Sequence, residues 1–269
     1  MGPSSSDSDQ VLTNSDLKAV VVIPARFQST RFPGKPLAKI AQKPMIQHVY
    51  ERASAARGIA GVMVATDDER IVRAVEAFGG RVCLTSVMHR SGTERVAEVG
   101  RNLEVDVVVN LQGDEPMMDP GCIEAVVEPF RSDPGLMIST LKCPAEAEEV
   151  SDPNVVKVVT DRKGNALYFS RSSIPHLRRE RPGRGEQAAV FKHVGIYAYR
   201  RAFLEILPDM PDCWLEAVED LEQLRFLDNG YRIRVVSYEY RGVAVDTPED
   251  LVRINELAAQ GKLPGCRAE

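Results

Sequence analysis

The chain reads as an α/β protein built on a mostly parallel sheet with helices on both faces. Uninterrupted apolar runs such as Ala19-Val20-Val21-Val22-Ile23 and Val107-Val108-Val109-Asn110-Leu111 have the pattern of strands buried on both faces. Between them lie stretches with apolar residues at helical spacing, among them Ile71, Val72, Val75 and Phe78. Strand and helix alternate through the first half, which implies right-handed βαβ units covered on both sides.

In order, the first strand runs to Pro24, and a long polar loop leads to about Pro44. A helix is predicted over 45–56, a second buried strand over 62–66, and a helix over 69–78. A short strand at 82–84 and a helix over 93–103 lead to the strand at 107–111, followed by a helix over 123–130. After Pro153 the rhythm changes. Residues 155–160 and 166–170 flank Asp161-Arg162-Lys163-Gly164 and read as a β-hairpin. The stretch 176–186 is rich in Arg, Gly and Glu and is expected to be an exposed loop. A strand at 194–199, a helix over 215–227 closed by Asn229-Gly230, and a strand at 231–238 follow. The last helix, 248–259, opens with Thr247-Pro248-Glu249-Asp250, a hydroxyl cap with Pro and acids in the first turn. No internal repeat is visible.

The 269 residues suffice for one domain, expected over 18–260, between tails at 1–17 and 261–269. Hydrophobic residues at 43% and charged residues at 27% allow a sizeable core. A net charge of -5 argues against nucleic acid as partner, while leaving room for a local basic site for a small anion. Five cysteines without a CxxC pair favour a reducing compartment over a disulfide framework or structural zinc. No segment approaches ~18 continuous apolar residues, and the Ser/Asp-rich start lacks the apolar core of a secretory signal. A cytoplasmic protein without a membrane span is therefore expected, its first residues disordered.

Four polar clusters lie at predicted strand ends, where open α/β sheets bind ligands. The loop from Ala25 to Pro36 carries Arg26, Arg31 and Lys35 beside backbone freed by Gly34, suited to a polyphosphate. It lacks the Gly and Ser/Thr positions of a Walker A loop, and a merely solvated basic loop would look the same. Ser91-Gly92-Thr93-Glu94-Arg95 opens a helix and suits either a base-edge contact or plain capping. Gln112-Gly113-Asp114-Glu115-Pro116 follows a buried strand, and Asp114 there suits Mg²⁺, although Gly and Asp also make ordinary turns. Asp246 precedes the capped last helix, as a second Mg²⁺ carboxylate or as an acid beside the helix dipole.

Taken together these stretches resemble a known family. Ile23-Pro24-Ala25-Arg26 through Pro33-Gly34-Lys35-Pro36-Leu37 looks like the opening signature of sugar-activating nucleotidyltransferases. Val64–Asp67, Ser91–Arg95, Asn110–Pro116, Tyr168–Arg171, His193–Tyr197, Leu221–Arg225 and Val245–Leu251 resemble, in order, the motifs of 3-deoxy-manno-octulosonate cytidylyltransferases (CMP-KDO synthetases). The resemblance spans about residues 18–258.

It implies activation of the acid sugar KDO by CTP for lipopolysaccharide or another KDO-containing glycan. It also implies a Rossmann-like, GT-A-like sheet, a smaller lobe at about 153–200 that makes a homodimer, and a Mg²⁺ cofactor on Asp114 and Asp246. By the same likeness Arg26 and Lys35 hold the triphosphate as catalytic groups with the two acids. Ser91, Gly92, Thr93 and Arg95 join Arg31 on the nucleotide side. Gln112, Arg171, His193, Tyr197, Glu222 and Gln223 line the sugar site. His176 stands where the family has an aromatic residue, and the loop to Gln187 is unusually Arg-rich. The alternatives are an 8-amino-KDO, sialic acid or sugar phosphate acceptor, a GT-A glycosyltransferase, or a non-catalytic nucleotide-binding module. Asp114-Glu115-Pro116 is not the DxD motif a glycosyltransferase would carry.

Overall fold

The computed structural model describes residues 17–28, 32–177 and 190–262. At its centre β1 (Ala19–Ala25) lies parallel to β4 (Ile59–Thr66) on one side and to β6 (Val107–Leu111) on the other. β5 (Val82–Leu84) extends the parallel set beyond β4. On the far side of β6, β10 (Phe191–Arg200) runs antiparallel to both β6 and β7 (Ile138–Pro144), and β11 (Ile233–Ser237) returns parallel to β7. The order is β11-β7-β10-β6-β1-β4-β5. A mostly parallel sheet is thus confirmed, with one antiparallel strand set into it.

Alternation along β1 divides the core into two layers. Val21 and Ile23 face a layer with Ile46 and Val49 of α1 (Met45–Ser54), Ile71 of α2 (Glu69–Ala77) and Ile123 of α4 (Pro120–Val127). Val22 faces the other, with Val96 of α3 (Gly92–Arg101), Phe203 of α6 (Arg201–Ile206) and Leu224 of α8 (Gln223–Asp228). Side chains of this kind each contribute about 1.5–3 kcal/mol when fully buried. A third cluster, Ile40, Met45, Val245, Ile254 and Ala258, docks α9 (Pro248–Ala259) beside the strand ends. The expected cap of α9 is present as a capping box: Thr247 Oγ1 accepts from Asp250 N at 3.2 Å, and Asp250 Oδ2 accepts from Thr247 N at 2.9 Å.

Several expectations are corrected. β7 has no counterpart in the reading of the sequence, because Ser139, Thr140 and Lys142 interrupt its apolar pattern. Each is buried yet bonded: Ser139 Oγ to Val126 O, Thr140 Oγ1 to Ile196 O at 2.7 Å, and Lys142 Nζ to Thr160 Oγ1 at 2.7 Å. The helix expected over 215–227 is two, α7 (Trp214–Glu219) and α8, broken at Asp220 in a left-handed conformation. The helix over 123–130 is likewise split by Pro129, which has no N–H to continue α4 into α5 (Pro129–Ser132). Within the 153–200 stretch expected as a smaller lobe, β10 lies in the main sheet and the hairpin β8 (Lys157–Thr160)–β9 (Ala166–Ser170) joins it at Lys192↔Lys157.

Leu17 is already in the core, and Lys18 N donates to Asp106 Oδ2 at 2.8 Å. Gly261 and Lys262 still donate backbone hydrogen bonds into the end of α9. Arg31, the first sixteen residues and most of the Arg-rich loop lie outside the described residues. No helix among the described residues is long and apolar enough to cross a membrane.

Candidate active site

The parallel strands β1, β4 and β6 all deliver their carboxyl ends to one edge of the sheet. Arg26 follows β1, Asp67 follows β4, and Gln112 to Asp114 follow β6. Gly113 is needed at the last junction, since a Cβ there would sit 2.9 Å from Pro24 O. Gly34, left-handed at φ +73, starts the single 3-10 turn that presents Lys35.

At this edge the Lys35 ammonium lies 2.7 Å from Asp114 Oδ2 and 3.2 Å from Asp246 Oδ1. Asp246 comes from far along the chain and is brought in by backbone: Val245 N donates to Asp114 O at 2.9 Å, and Asp246 N donates to Asp250 Oδ2 at 3.0 Å. Burial works against the Lys35 charge, but the two carboxylates outweigh it and hold its pKa above the usual lysine value. Beneath them Tyr240 Oη donates to Glu115 Oε2 at 2.5 Å. Burial pushes the Glu115 carboxyl up to about 7, the tyrosine's hydrogen bond offsetting only part of it.

Beside this corner opens a cavity of ≈ 750 Å³ lined by Arg26, Phe27, Asp67, Arg70 and His89 among others. Arg26 Nη2 donates to His89 O at 2.6 Å. Burial and the neighbouring Arg95 both lower the Arg26 pKa. Arg95, expected on the nucleotide side, has a side chain that is 0% exposed. It pairs with Asp67 at 2.8 Å and bonds Thr85 Oγ1, and so acts on the cavity through Asp67.

A hydrogen-bond chain joins residues expected on the nucleotide side to residues expected on the sugar side. Gln112 Nε2 donates to Asn110 Oδ1 at 3.1 Å, and Asn110 Nδ2 donates to Thr93 Oγ1 at 3.3 Å. Thr93 Oγ1 in turn donates to Glu222, and Ser91 Oγ donates to Glu222 Oε1 at 2.9 Å. Ser91 Oγ also caps α3 by accepting from Glu94 N at 3.1 Å. Gly92 packs closely, its missing Cβ leaving room for Pro24. Glu222, expected on the sugar, is therefore committed to the start of α3. Arg171 is also turned inward, donating to Glu219 O at 2.8 Å, Pro153 O at 3.1 Å and Asp220 O at 3.2 Å.

His193 and Tyr197 lie together on β10, ring centroids 5.2 Å apart. His193 Nε2 shares a hydrogen with Thr140 Oγ1 at 2.9 Å, and desolvation lowers its pKa to about 3, so the ring is neutral. The Tyr197 Oη is buried beside Thr140 without a well-formed hydrogen bond among the described residues. Gln223 is buried at the start of α8.

The description "cytidylyltransferase" belongs to the family model that matches residues 20–233. The 3-deoxy-manno-octulosonate cytidylyltransferase of Solibacter usitatus is 52% identical over 249 residues, covering 92% of this chain and 97% of the relative. That of Geobacter metallireducens is 49% identical over 247 residues, covering 89% and 97%. The chain belongs to the 3-deoxy-manno-octulosonate cytidylyltransferase family. A solved structure of CMP:2-keto-3-deoxy-manno-octonic acid synthetase complexed with CTP matches with a TM-score of 0.85 at 48% identity, covering 91% and 99%. The 4-diphosphocytidyl-2C-methyl-D-erythritol synthase of Anaerococcus prevotii shares the fold, with a TM-score of 0.57 at 15% identity over 91% of this chain and 97% of its own.

In this cytidylyltransferase the structure brings Lys35, Asp114 and Asp246 into direct contact and sets Arg26 at the adjacent cavity. Among the described residues no group of three or more His, Cys, Asp or Glu is placed to hold a metal. Two converging carboxylates already gathered about a cation nevertheless fit Mg²⁺, which commonly takes one or two carboxylates and fills its octahedron with phosphate oxygens and water. Sequence reasoning missed the roles of Asp67, Glu115 and Tyr240. The first two stand inside stretches that carry the family likeness, and Tyr240 lies in a segment with no periodic signal.

Proposed function

We propose that the chain couples KDO to CTP, giving CMP-KDO and pyrophosphate, with Mg²⁺ on Asp114 and Asp246. The observation that supports this best is the contact of Lys35 with both acids beside the Arg26 cavity, in a chain of this family. Such reactions depend mainly on positioning and charge stabilisation. The oxygen of the sugar's anomeric hydroxyl forms a bond to the α-phosphorus as the bond to the bridging oxygen of pyrophosphate breaks. When bound, Mg²⁺ would lower the pKa of that hydroxyl and neutralise phosphate charge.

Arg26 and Lys35 supply fixed cations for the triphosphate. Asp67, pinned by Arg95, shapes the cavity wall. On the sugar side the neutral His193 ring orients Tyr197, whose hydroxyl, without a well-formed hydrogen bond among the described residues, suits a sugar oxygen. We read the reaction as cytoplasmic, where CTP is made, and the free Cys83, Cys122, Cys143 and Cys213 accord with a reducing compartment. Exposed Trp214, Val218 and Leu167 offer apolar surface for a homodimer.

The test is pyrophosphate release with all four nucleoside triphosphates and a panel of acid sugars, with and without Mg²⁺. CTP, Mg²⁺ and KDO should be required together. Equal turnover with a neutral sugar 1-phosphate, or none with either KDO or its 8-amino analogue, would overturn the proposal.

A further inference from the structure

Lys35 is asked to do two incompatible things. Its ammonium bridges Asp114 and Asp246 at 2.7 and 3.2 Å, the place where a divalent cation would have to sit. Mg²⁺ binds oxygen at about 2.0–2.1 Å. An ammonium held on the same oxygens would then lie a few ångströms from a dication, and the two repel. We propose that Lys35 holds the cation position in the nucleotide-free enzyme, and that the triphosphate draws it off, opening the carboxylate pair to the metal.

The geometry allows the exchange. Lys35 is one residue past the left-handed Gly34, and its charge rides on a four-carbon stem that rotates without moving the backbone. Val245 N donates to Asp114 O and Asp246 N donates to Asp250 Oδ2, so the backbone carrying both carboxylates stays in place when the ammonium leaves. Lys35 offsets the mutual repulsion of two carboxylates that share one cation position, until another cation takes its place. By linkage, whatever factor CTP gains by releasing the carboxylates, the metal gains from CTP.

This inference rests on Asp114 and Asp246 being the metal carboxylates, and its test separates the two. Mn²⁺ is titrated into nucleotide-free protein and followed by electron paramagnetic resonance, which needs no turnover. Lys35→Met should bind Mn²⁺ at one site ~10-fold or more tighter than wild type, within the usual range of coupling between sites. Adding Asp114→Asn to that variant should abolish the gain. Equal affinity of wild type and Lys35→Met would overturn the exchange while leaving the metal site standing. A gain that survives Asp114→Asn would remove the metal reading itself. A crystal structure of wild type with CTP and EDTA decides the point even if the variant fails to fold. Lys35 Nζ should then lie on phosphate oxygens, beyond about 4 Å from both carboxylates. An ammonium still seated on Asp114 overturns the proposal.

Discussion

At the ends of β1 and β6, Lys35, Asp114 and Asp246 turn their charges towards one another across space that stays partly exposed. Across the sheet, Arg171, Glu222 and His193 are engaged by the protein itself: three backbone carbonyls, two hydroxyls and Thr140. The first region has charge to exchange with a ligand. Among the described residues the second has most of its polar groups satisfied before any ligand arrives, with Tyr197 Oη and Arg225 Nε among the buried exceptions. On the proposed function one wall acts on the substrates and the other mainly fixes shape, so substitutions in the two should fail in different ways.

The largest effect on stability is expected between these walls, at the Arg95–Asp67 pair. Arg95 is fully buried, and Arg95→Met leaves Asp67 facing the cavity without its cation. Breaking a fully buried pair costs about 3–5 kcal/mol, and less here because Asp67 stays 21% exposed at the cavity. In a domain of this size the melting temperature should fall on the order of 5 °C. A change of only a degree or two would show that the pair contributes little to stability.

That burial was not legible in the sequence, because Ser91-Gly92-Thr93-Glu94-Arg95 reads equally as a solvent-facing helix start. Local signals were legible. The all-apolar runs of β1 and β6, and the Thr247 cap of α9, involve neighbours in sequence and follow from them. β7 was not, since the partners that make Ser139 and Thr140 burial tolerable lie on α4 and β10. The same holds within the site. Asp114 announces itself at a buried strand end, whereas the bond between Ser91 and Glu222 joins residues 131 apart. The break at Asp220 had no Gly or Pro to mark it.

A smaller effect sharpens the view of the second wall as scaffold. Glu222→Ala removes the acceptor of both Ser91 and Thr93. Leaving such groups unsatisfied costs about 1–3 kcal/mol. KM for CTP should rise more than kcat falls, because the start of α3 loosens while the carboxylate corner stands. A KM effect confined to KDO would instead return Glu222 to the sugar.

The smallest effect at neutral pH concerns His193, whose folded pKa is depressed to about 3. The unfolded chain takes up a proton near pH 6.5 and the folded one does not, so stability is complete above about 6.5 and is lost as pH falls below it. Thermal melts from pH 7 to 4 should show this slope, and His193→Gln should flatten it. An unchanged slope would mean that the imidazole protonates freely in the folded protein.

The division between the walls rests on the carboxylate corner acting directly in the chemistry. The most direct measurement is kcat at saturating CTP and KDO for Asp114→Asn, Asp246→Asn and the double variant, with melts as a control for folding. Thr247, not Asp246, caps α9, so a purely structural Asp246 would lose only its half-exposed pairing with Lys35, worth about 0–1 kcal/mol, plus about 0.3–1 kcal/mol from the dipole. If both residues serve one Mg²⁺, each single variant should lose ~10²-fold or more in kcat, and the double should be little worse than either. A folded Asp246→Asn protein with near-normal kcat and unchanged Mg²⁺ dependence would contradict the account.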